Sequence, residues 1–349
     1  MADDLPLQEW LNEQVFPNEA KLKGEEAYLF AKIAIMEYLT SGITSAFDMY
    51  IYPKEVIQAC VDCGFRIVQV SGLNNFTSSL EELEEQYVTY NDYHELCSYK
   101  LGFHAEYTTD KKLLEGLAGL SEKYHAPVYT HNSETKREVE ECRQRYGKSP
   151  TQLFEEMGLY RYGGGGYHCI WFDDEDIDIF AKRNLSVVTN PASNLKLASG
   201  IAPLKKMQEA GINLAIGTDG PASNNCLDMF LEMFLVTGLA KLREHDAAVM
   251  DANDVLYMAT TGGAKAMGLS DCDCLAVGKK ADLILMNLMQ PNMQPEHNLT
   301  KNLVYSGSKQ NVKLTMVNGK ILYEDGQFFI SEEPQEIYKK ANEIVSRMK

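Results

Sequence analysis

Seven histidines occur in 349 residues, and three of them close short apolar runs. His104 ends Leu101-Gly-Phe-His, His131 ends Pro127-Val-Tyr-Thr-His, and His168 comes near the end of a glycine-rich run, just before Cys169. Asp219 follows the apolar run Ile212–Gly217. Read as parallel β-strands, these runs set four polar side chains at four C-terminal strand ends, where α/β barrels build their active sites. A single histidine at a strand end is usually structural, whereas four polar groups at equivalent ends make a candidate site. Glu134 adds a carboxylate three residues beyond His131. Hydrolysis at a metal needs imidazole and carboxylate donors for a divalent ion, which lowers the pKa of bound water. It also needs a neighbouring group that moves protons. By residue type His131 is a candidate ligand, Asp219 a ligand and base, and Glu134 a proton carrier. His94 falls in a polar helix, His125 just after a helix, and His245 and His297 in polar connections; they receive no role.

The elements around these residues alternate between short apolar runs and helical stretches, the pattern of an α/β fold with a parallel sheet. The strands read as Thr44–Tyr50, Phe65–Leu73, Leu101–Tyr107, Pro127–His131, Gly166–Trp171, Leu185–Asn190 and Ile212–Gly217. Helices fill the gaps, among them Ser78–Cys97, Lys111–Tyr124, a capping box at Ser149-Pro-Thr-Gln152, and Asp174–Arg183 capped by Asp173. An eight-fold barrel needs one more strand than these seven. The chain opens instead with a helical segment, Leu7–Val15, and a long helix near Glu25–Thr40, with no strand candidate before Leu7. The expected fold is therefore a (β/α)8 TIM-type barrel lacking its first strand. A last helix, Asp254–Met267, precedes GKKADLILMNL and VKLTMVNGKILYEDG. The second reads as a hairpin about Asn318-Gly319, a favoured two-residue turn. The expected division is a barrel over 1–268, strands of a small β domain over 269–330, and a C-terminal helix over 331–349.

Composition narrows the function. A formal net charge of −17 repels phosphate backbones, which argues against nucleic acid as a partner. No apolar run approaches the roughly 18–20 residues of a membrane span, and the acidic opening MADDLPLQEWLNEQ is not a signal peptide. Cys60 and Cys63 form a C-x-x-C, but they share a helical face with Val56 and Ala59 between Pro53 and Gly64, which reads as buried thiols. Cys272 and Cys274 have no second pair nearby, so the reading is a reduced, cytoplasmic protein. H-E-x-x-H, the paired cysteine motif of cytidine deaminases, a P-loop and a G-x-S-x-G elbow are all absent. The four glycines 163–166 lead into a strand and read as close backbone packing or a flexible entry to it, not as a phosphate loop.

Four motifs, THNSET at 130–135, YHCIWFDDEDI at 167–177, NPASNLKLASGIAPL at 190–204 and GTDGPASNN at 217–225, resemble the amidohydrolase superfamily. Within it they look most like the 5-methylthioadenosine/S-adenosylhomocysteine deaminases and their chlorohydrolase relatives, as does the opening ADDLPLQEWLNEQVFPNEAKL. The similarity runs from residue 2 to about residue 329. It implies a distorted (β/α)8 barrel with a small β-sandwich and one divalent metal, zinc or else iron. His131 resembles a metal-ligating histidine, and Asp219 the aspartate that binds metal and takes a proton from the attacking water. Glu134 resembles the glutamate that protonates the purine ring, and His168 the histidine that positions the attacking hydroxide. His104 resembles a substrate-contacting histidine, Glu19 the carboxylate on the ribose hydroxyls, and Trp10 lies in the segment bordering the substrate. The implied reaction is hydrolysis at C6 of an adenosine-type nucleoside, giving the inosine analogue and ammonia. Its partner is that small molecule, with a homo-oligomer compatible and no membrane or nucleic acid involved.

The sequence departs from the family in two places. The family's first barrel strand ends in a His-x-His that supplies two ligands, and no His-x-His occurs here. The chain thus reads as N-terminally truncated, with little or no activity of its own and two exposed sheet edges. The arginines that hold a homocysteine tail are also missing, since Ser71–Val88 contains no Lys or Arg. That leaves adenosine or methylthioadenosine at least as suitable as S-adenosylhomocysteine. The alternatives are a deaminase or chlorohydrolase of guanine, cytosine or a triazine, and a non-catalytic nucleoside-binding short form.

Overall fold

A computed structural model describes residues 4–348. Seven parallel strands lie side by side in chain order: β1 Ser45–Asp48, β2 Arg66–Val70, β3 Cys97–Gly102, β4 Val128–Asn132, β5 Gly164–His168, β6 Ser186–Thr189 and β7 Asn213–Ile216. Every connection between them carries a helix, as parallel neighbours require. The sheet curls on itself. Phe47 of β1 packs edge-on against Tyr129 of β4 and Tyr167 of β5, with ring centroids 4.9 and 5.6 Å apart. Val70, Val188 and Ala215 complete this inner cluster. The opposite faces of the strands pack on the helices in a larger cluster built around Leu101, Phe103, Val128, Phe154, Phe180 and Val187. This is the TIM-type barrel expected, with seven strands among the described residues and β1 and β7 as its edges.

The helix Gly24–Thr40 reaches from the start of β2 to the segment after β7. Its Tyr38 stacks on Phe65, next to β2, at 5.7 Å, and the Tyr38 hydroxyl faces Thr218, just past β7. From the same turn Glu37 Oε1 accepts from Leu227 N at 3.1 Å, and Ser41 Oγ donates to Leu227 O at 2.6 Å.

Several boundaries differ from the sequence reading. The third strand is Cys97–Gly102 rather than Leu101–Tyr107, and the helix before it is Leu80–Asn91 rather than Ser78–Cys97. In Cys97-Ser-Tyr-Lys-Leu-Gly the half-buried Ser98 and Lys100 alternate with buried Cys97 and Tyr99, the pleat of a strand. His104 accordingly lies two residues past the strand, and His94 sits in the connection after the helix instead of inside it. The fifth strand likewise starts earlier, at Gly164.

Its glycines are required by contact. A Cβ on Gly164 would sit 1.9 Å from the Val128 carbonyl oxygen, and one on Gly165 2.3 Å from that of Ser186. Gly164 also holds φ at +126°, which L side chains rarely adopt. Gly164→Ala is expected to cost about 1–3 kcal/mol through strand displacement. A urea midpoint within error of the parent chain would refute it.

A second sheet is antiparallel, in the order β11-β10-β9-β8: β8 Leu283–Met286, β9 Val312–Val317, β10 Lys320–Glu324 and β11 Gln327–Phe328. The hairpin expected about Asn318-Gly319 is present, and both turn residues have positive φ, 49° and 78°, as a type I′ turn needs. The chain then forms the helix Pro334–Met348, whose Ile337 and Ala341 pack on Leu29 and Met36 of Gly24–Thr40.

Candidate active site

His131 comes from β4 and points its Nδ1 at the His104 carbonyl oxygen, 2.9 Å away. A carbonyl only accepts, so Nδ1 carries the proton and Nε2 keeps its lone pair. The ring stacks on His168 with centroids 5.5 Å apart, and on its other side lies His104 at 5.0 Å. His168 is the last residue of β5 and sits in the left-handed region at φ +68°. Its Nδ1 is 2.7 Å from Asn194 Oδ1 and its Nε2 3.4 Å from Asn190 Nδ2. That arrangement puts its proton on Nδ1 and leaves Nε2 accepting. Glu134 Oε2 lies 3.7 Å from the same Nε2, and Glu134 Oε1 accepts from Ser199 Oγ at 3.1 Å.

Asp219 also holds a positive φ, 57°, just past β7. Its Oδ2 accepts from Ser193 Oγ at 2.6 Å and Ser223 Oγ at 2.8 Å, and its Oδ1 from Gly220 N at 2.8 Å. The electrostatics separate the two acids. Burial works to raise Asp219, but His168 and the Ser193 hydroxyl hold it below the usual carboxylate range. Burial, followed by the charge of Asp219, pushes Glu134 up to about 7. Burial lowers His131 and His168, and lowers His104 to about 3 with His131 adding to the effect. Near neutral pH the cluster therefore presents three neutral imidazoles, one ionised carboxylate and one carboxyl able to hold a proton.

Two buried carboxylates hold the loops that carry these groups. Glu138, on the helix Lys136–Tyr146, accepts from Ser133 N at 2.9 Å and Glu134 N at 2.8 Å. It thereby fixes the turn in which Ser133 has φ +51°. Glu232, on Met229–Glu244, accepts from Ala192 N at 3.0 Å and Asn224 Nδ2 at 2.7 Å, joining the loops after β6 and β7. Both are raised by burial, to about 8 and about 7.

The structure thus brings His104, His131, Glu134, His168 and Asp219 into one group at the C-terminal rim. Trp10 and Glu19 are placed apart from it. Trp10 is buried with Leu7, Leu11 and Leu197, beside Tyr107, whose ring lies 6.0 Å from that of His104. Glu19 ends the segment Phe16–Glu19 and faces the Tyr50 hydroxyl near β1; burial raises it to about 7. Several residues escape the sequence reading. Asp48 ends β1 by the same placement that singles out Asp219; Gln69 Nε2 donates to it at 3.1 Å, and burial raises it to about 6. Asn190, Ser193 and Asn194 lie inside a recognised motif without a role.

The donors suit a divalent ion in kind: His131 is neutral with Nε2 free, and Asp219 is ionised. Among the described residues, however, no group of three or more His, Cys, Asp or Glu side chains is arranged to hold one.

The fold and this rim define a hydrolase-type barrel, and the chain belongs to the amidohydrolase family, whose model matches residues 1–322. It is 37% identical over 354 residues to a 5-methylthioadenosine/S-adenosylhomocysteine deaminase of Dictyoglomus thermophilum, covering 99% of this chain and 83% of that protein. It is also 37% identical over 340 residues to a 5′-deoxyadenosine deaminase of Methanothermobacter thermautotrophicus, covering 95% and 79%. Among solved structures, a zinc-bound adenosine deaminase from Xanthomonas campestris superposes with a TM-score of 0.94 at 33% identity, over 99% of this chain and 81% of that one.

Proposed function

We propose that this site deaminates an adenosine-type nucleoside by hydrolysis at C6. The observation that carries the reading is the pairing of an ionised Asp219 with a protonatable Glu134 across His168, on a chain whose relatives act on such nucleosides. Asp219 takes the proton from the attacking water. His168, oriented by Asn194 and Asn190, holds that water by accepting at Nε2. Glu134 gives its proton to the ring nitrogen, Asp219 passes the proton it took from water to the amino group, and ammonia leaves as the new hydroxyl on C6 returns a proton to Glu134. His104 stays neutral and offers a hydrogen bond to the substrate, while Glu19 and Trp10 border the sugar. A divalent cation, zinc for choice, supplies water activation at neutral pH when bound; His131 and Asp219 would hold it. The absence of Lys and Arg from Ser71 to Val88 favours 5′-deoxyadenosine, adenosine and methylthioadenosine over S-adenosylhomocysteine.

Two ligands are fewer than the three of catalytic zinc sites. We infer that the 349-residue chain binds zinc weakly and turns over slowly. Calorimetry with zinc, followed by an ammonia-release assay across the four nucleosides in excess zinc, tests both readings. Tight one-to-one binding contradicts the first. Ammonia from guanine, cytosine or a triazine, with none from the adenosine series, contradicts the substrate. No helix among the described residues is long and apolar enough to cross a membrane, and all eight cysteines are free.

A further inference from the structure

We propose that Trp171 and Ser199 are positioning residues for Glu134: the indole holds Ser199 so that the serine hydroxyl fixes which carboxyl oxygen carries the proton. This deepens the proposed function and rests on Glu134 being the proton donor. A protonated carboxyl has one hydrogen to give and two oxygens that can carry it. Glu134 is 3% exposed, so bulk water does not make the choice. Its Oε2 lies 3.7 Å from His168 Nε2, too far for a hydrogen bond. Its Oε1 meets the Ser199 hydroxyl at 3.1 Å, the one hydrogen bond of that hydroxyl among the described residues. If Oε1 carried the proton and donated to Ser199 Oγ, the hydrogen of Ser199, itself 5% exposed, would be buried without an acceptor. The bond therefore runs from Ser199 to Oε1. That leaves the Glu134 proton on Oε2, the oxygen turned to His168.

Ser199 is aimed from outside its own loop. Ala198 before it and Gly200 after it both have positive φ, 53° and 130°. An alanine keeps such a conformation where its surroundings hold it there. Two bonds do so. Ser199 N donates to Asn194 O at 2.9 Å, and Trp171 Nε1 donates to Ser199 O at 2.8 Å. Trp171 N in turn donates to Ser133 O at 2.9 Å, next to Glu134 in the chain. One residue of the loop after β5 thus joins the loops after β4 and β6, which carry Glu134 and Ser199. The contact is close: a Cβ on Gly200 would sit 2.9 Å from Ile170 Cγ2 and 3.6 Å from Trp171 Nε1. The Trp171 ring is 41% exposed, so burial of its bulk is incomplete. Its single donor, by contrast, is fully engaged on the Ser199 carbonyl.

Infrared difference spectra of the 349-residue chain in chelator test this, at pH 6, below the value of about 7 to which Glu134 is raised. Subtracting Glu134→Gln from the parent identifies the stretch of the protonated Glu134 carboxyl. Ser199→Ala removes the hydrogen bond to Oε1, the carbonyl oxygen of that carboxyl, and should move the band to higher frequency. Ser199→Thr keeps a hydroxyl and should leave the band in place. Trp171→Phe keeps an aromatic ring and loses the N–H. It should move the band in the same direction, and should add nothing in the Ser199→Ala chain, because it acts through Ser199. In excess zinc, Ser199→Ala should lower kcat for 5′-deoxyadenosine by about 10-fold, part of what a general acid contributes, with KM within about twofold. A band or a kcat unmoved by Ser199→Ala overturns the proposal, as do effects of Trp171→Phe and Ser199→Ala that add in full. Absence of any Glu134 band overturns more: the assignment of Glu134 as proton donor falls along with its positioning.

Discussion

Arg66→Ala is expected to lower stability by about 3–5 kcal/mol, which is a large part of the roughly 5–15 kcal/mol that holds an ordinary domain folded. Arg66 is buried in β2, and its Nε and Nη2 grip the two carboxylate oxygens of Asp282 at 2.6 and 2.9 Å. Asp282 directly precedes β8 and also accepts from Asn318 N, at 2.7 Å, in the turn between β9 and β10. One fork therefore fastens the parallel sheet to the antiparallel one and to its hairpin. The side chains of the pair are only 4% and 2% exposed, so neither charge can turn to water when its partner is removed. The loss is then mostly the cost of a stranded buried charge rather than of the bond itself. That distinction has a consequence: Arg66→Met with Asp282→Leu should be less damaging than Arg66→Ala alone. Urea unfolding of the three chains checks both points. A single-variant loss under about 1 kcal/mol, or a double variant worse than the single, would sink the argument.

Such a pair cannot be read from sequence, because its members are 216 residues apart and each looks like an ordinary surface charge. The strand-end residues are legible for the opposite reason. His131, His168 and Asp219 each close an apolar run, so position along the chain alone reports their place in a parallel barrel. Asp48 meets the same criterion, but no motif draws attention to it. β3 is displaced in the sequence reading because Ser98 and Lys100 interrupt its apolar residues, and a preceding run rich in Glu and Leu invites a longer helix. The glycines of β5 are half legible: four in succession fit close packing or a flexible entry alike, and only the fold supplies the carbonyl oxygens that decide between them. Glu138 and Glu232 are not. Each lies on a helix among many acids, and its task depends on the fold returning that helix to the backbone of a strand-end loop. Asn190 and Asn194 stand in a visible motif, but their bonds to His168 exist only because its backbone turns left-handed at the end of β5.

Together with Glu134, the two buried acids that escape the sequence also set how the metal-free chain should respond to pH. Glu138, Glu134 and Glu232 rise from an ordinary 4.5 to about 8, 7 and 7. The folded chain therefore holds protons that the unfolded chain has already released, from pH 4.5 up to those values. Stability from these groups is complete below pH 4.5 and is lost as pH climbs through 7 and 8. His104, His131 and His168 run the other way. Burial keeps them neutral, so below about 6.5 the unfolded chain takes up protons that the folded chain refuses, and stability falls with falling pH. The two families oppose each other on the acid side, but only the carboxyls act between pH 6.5 and 8.5. Over that interval the loss should be about 3 kcal/mol, at roughly 1.4 kcal/mol for each tenfold difference in proton affinity, most of it from Glu138. Melting of the chain in chelator should show its highest temperature below pH 7 and a fall of several degrees by pH 8.5. Glu138→Gln should flatten that fall: its amide cannot ionise, and its one oxygen still accepts from the loop. A melting temperature that stays level or rises from pH 6.5 to 8.5 would mean that these carboxyls are ionised in the folded chain. Glu134 could then not be holding the proton that the proposed chemistry asks it to give.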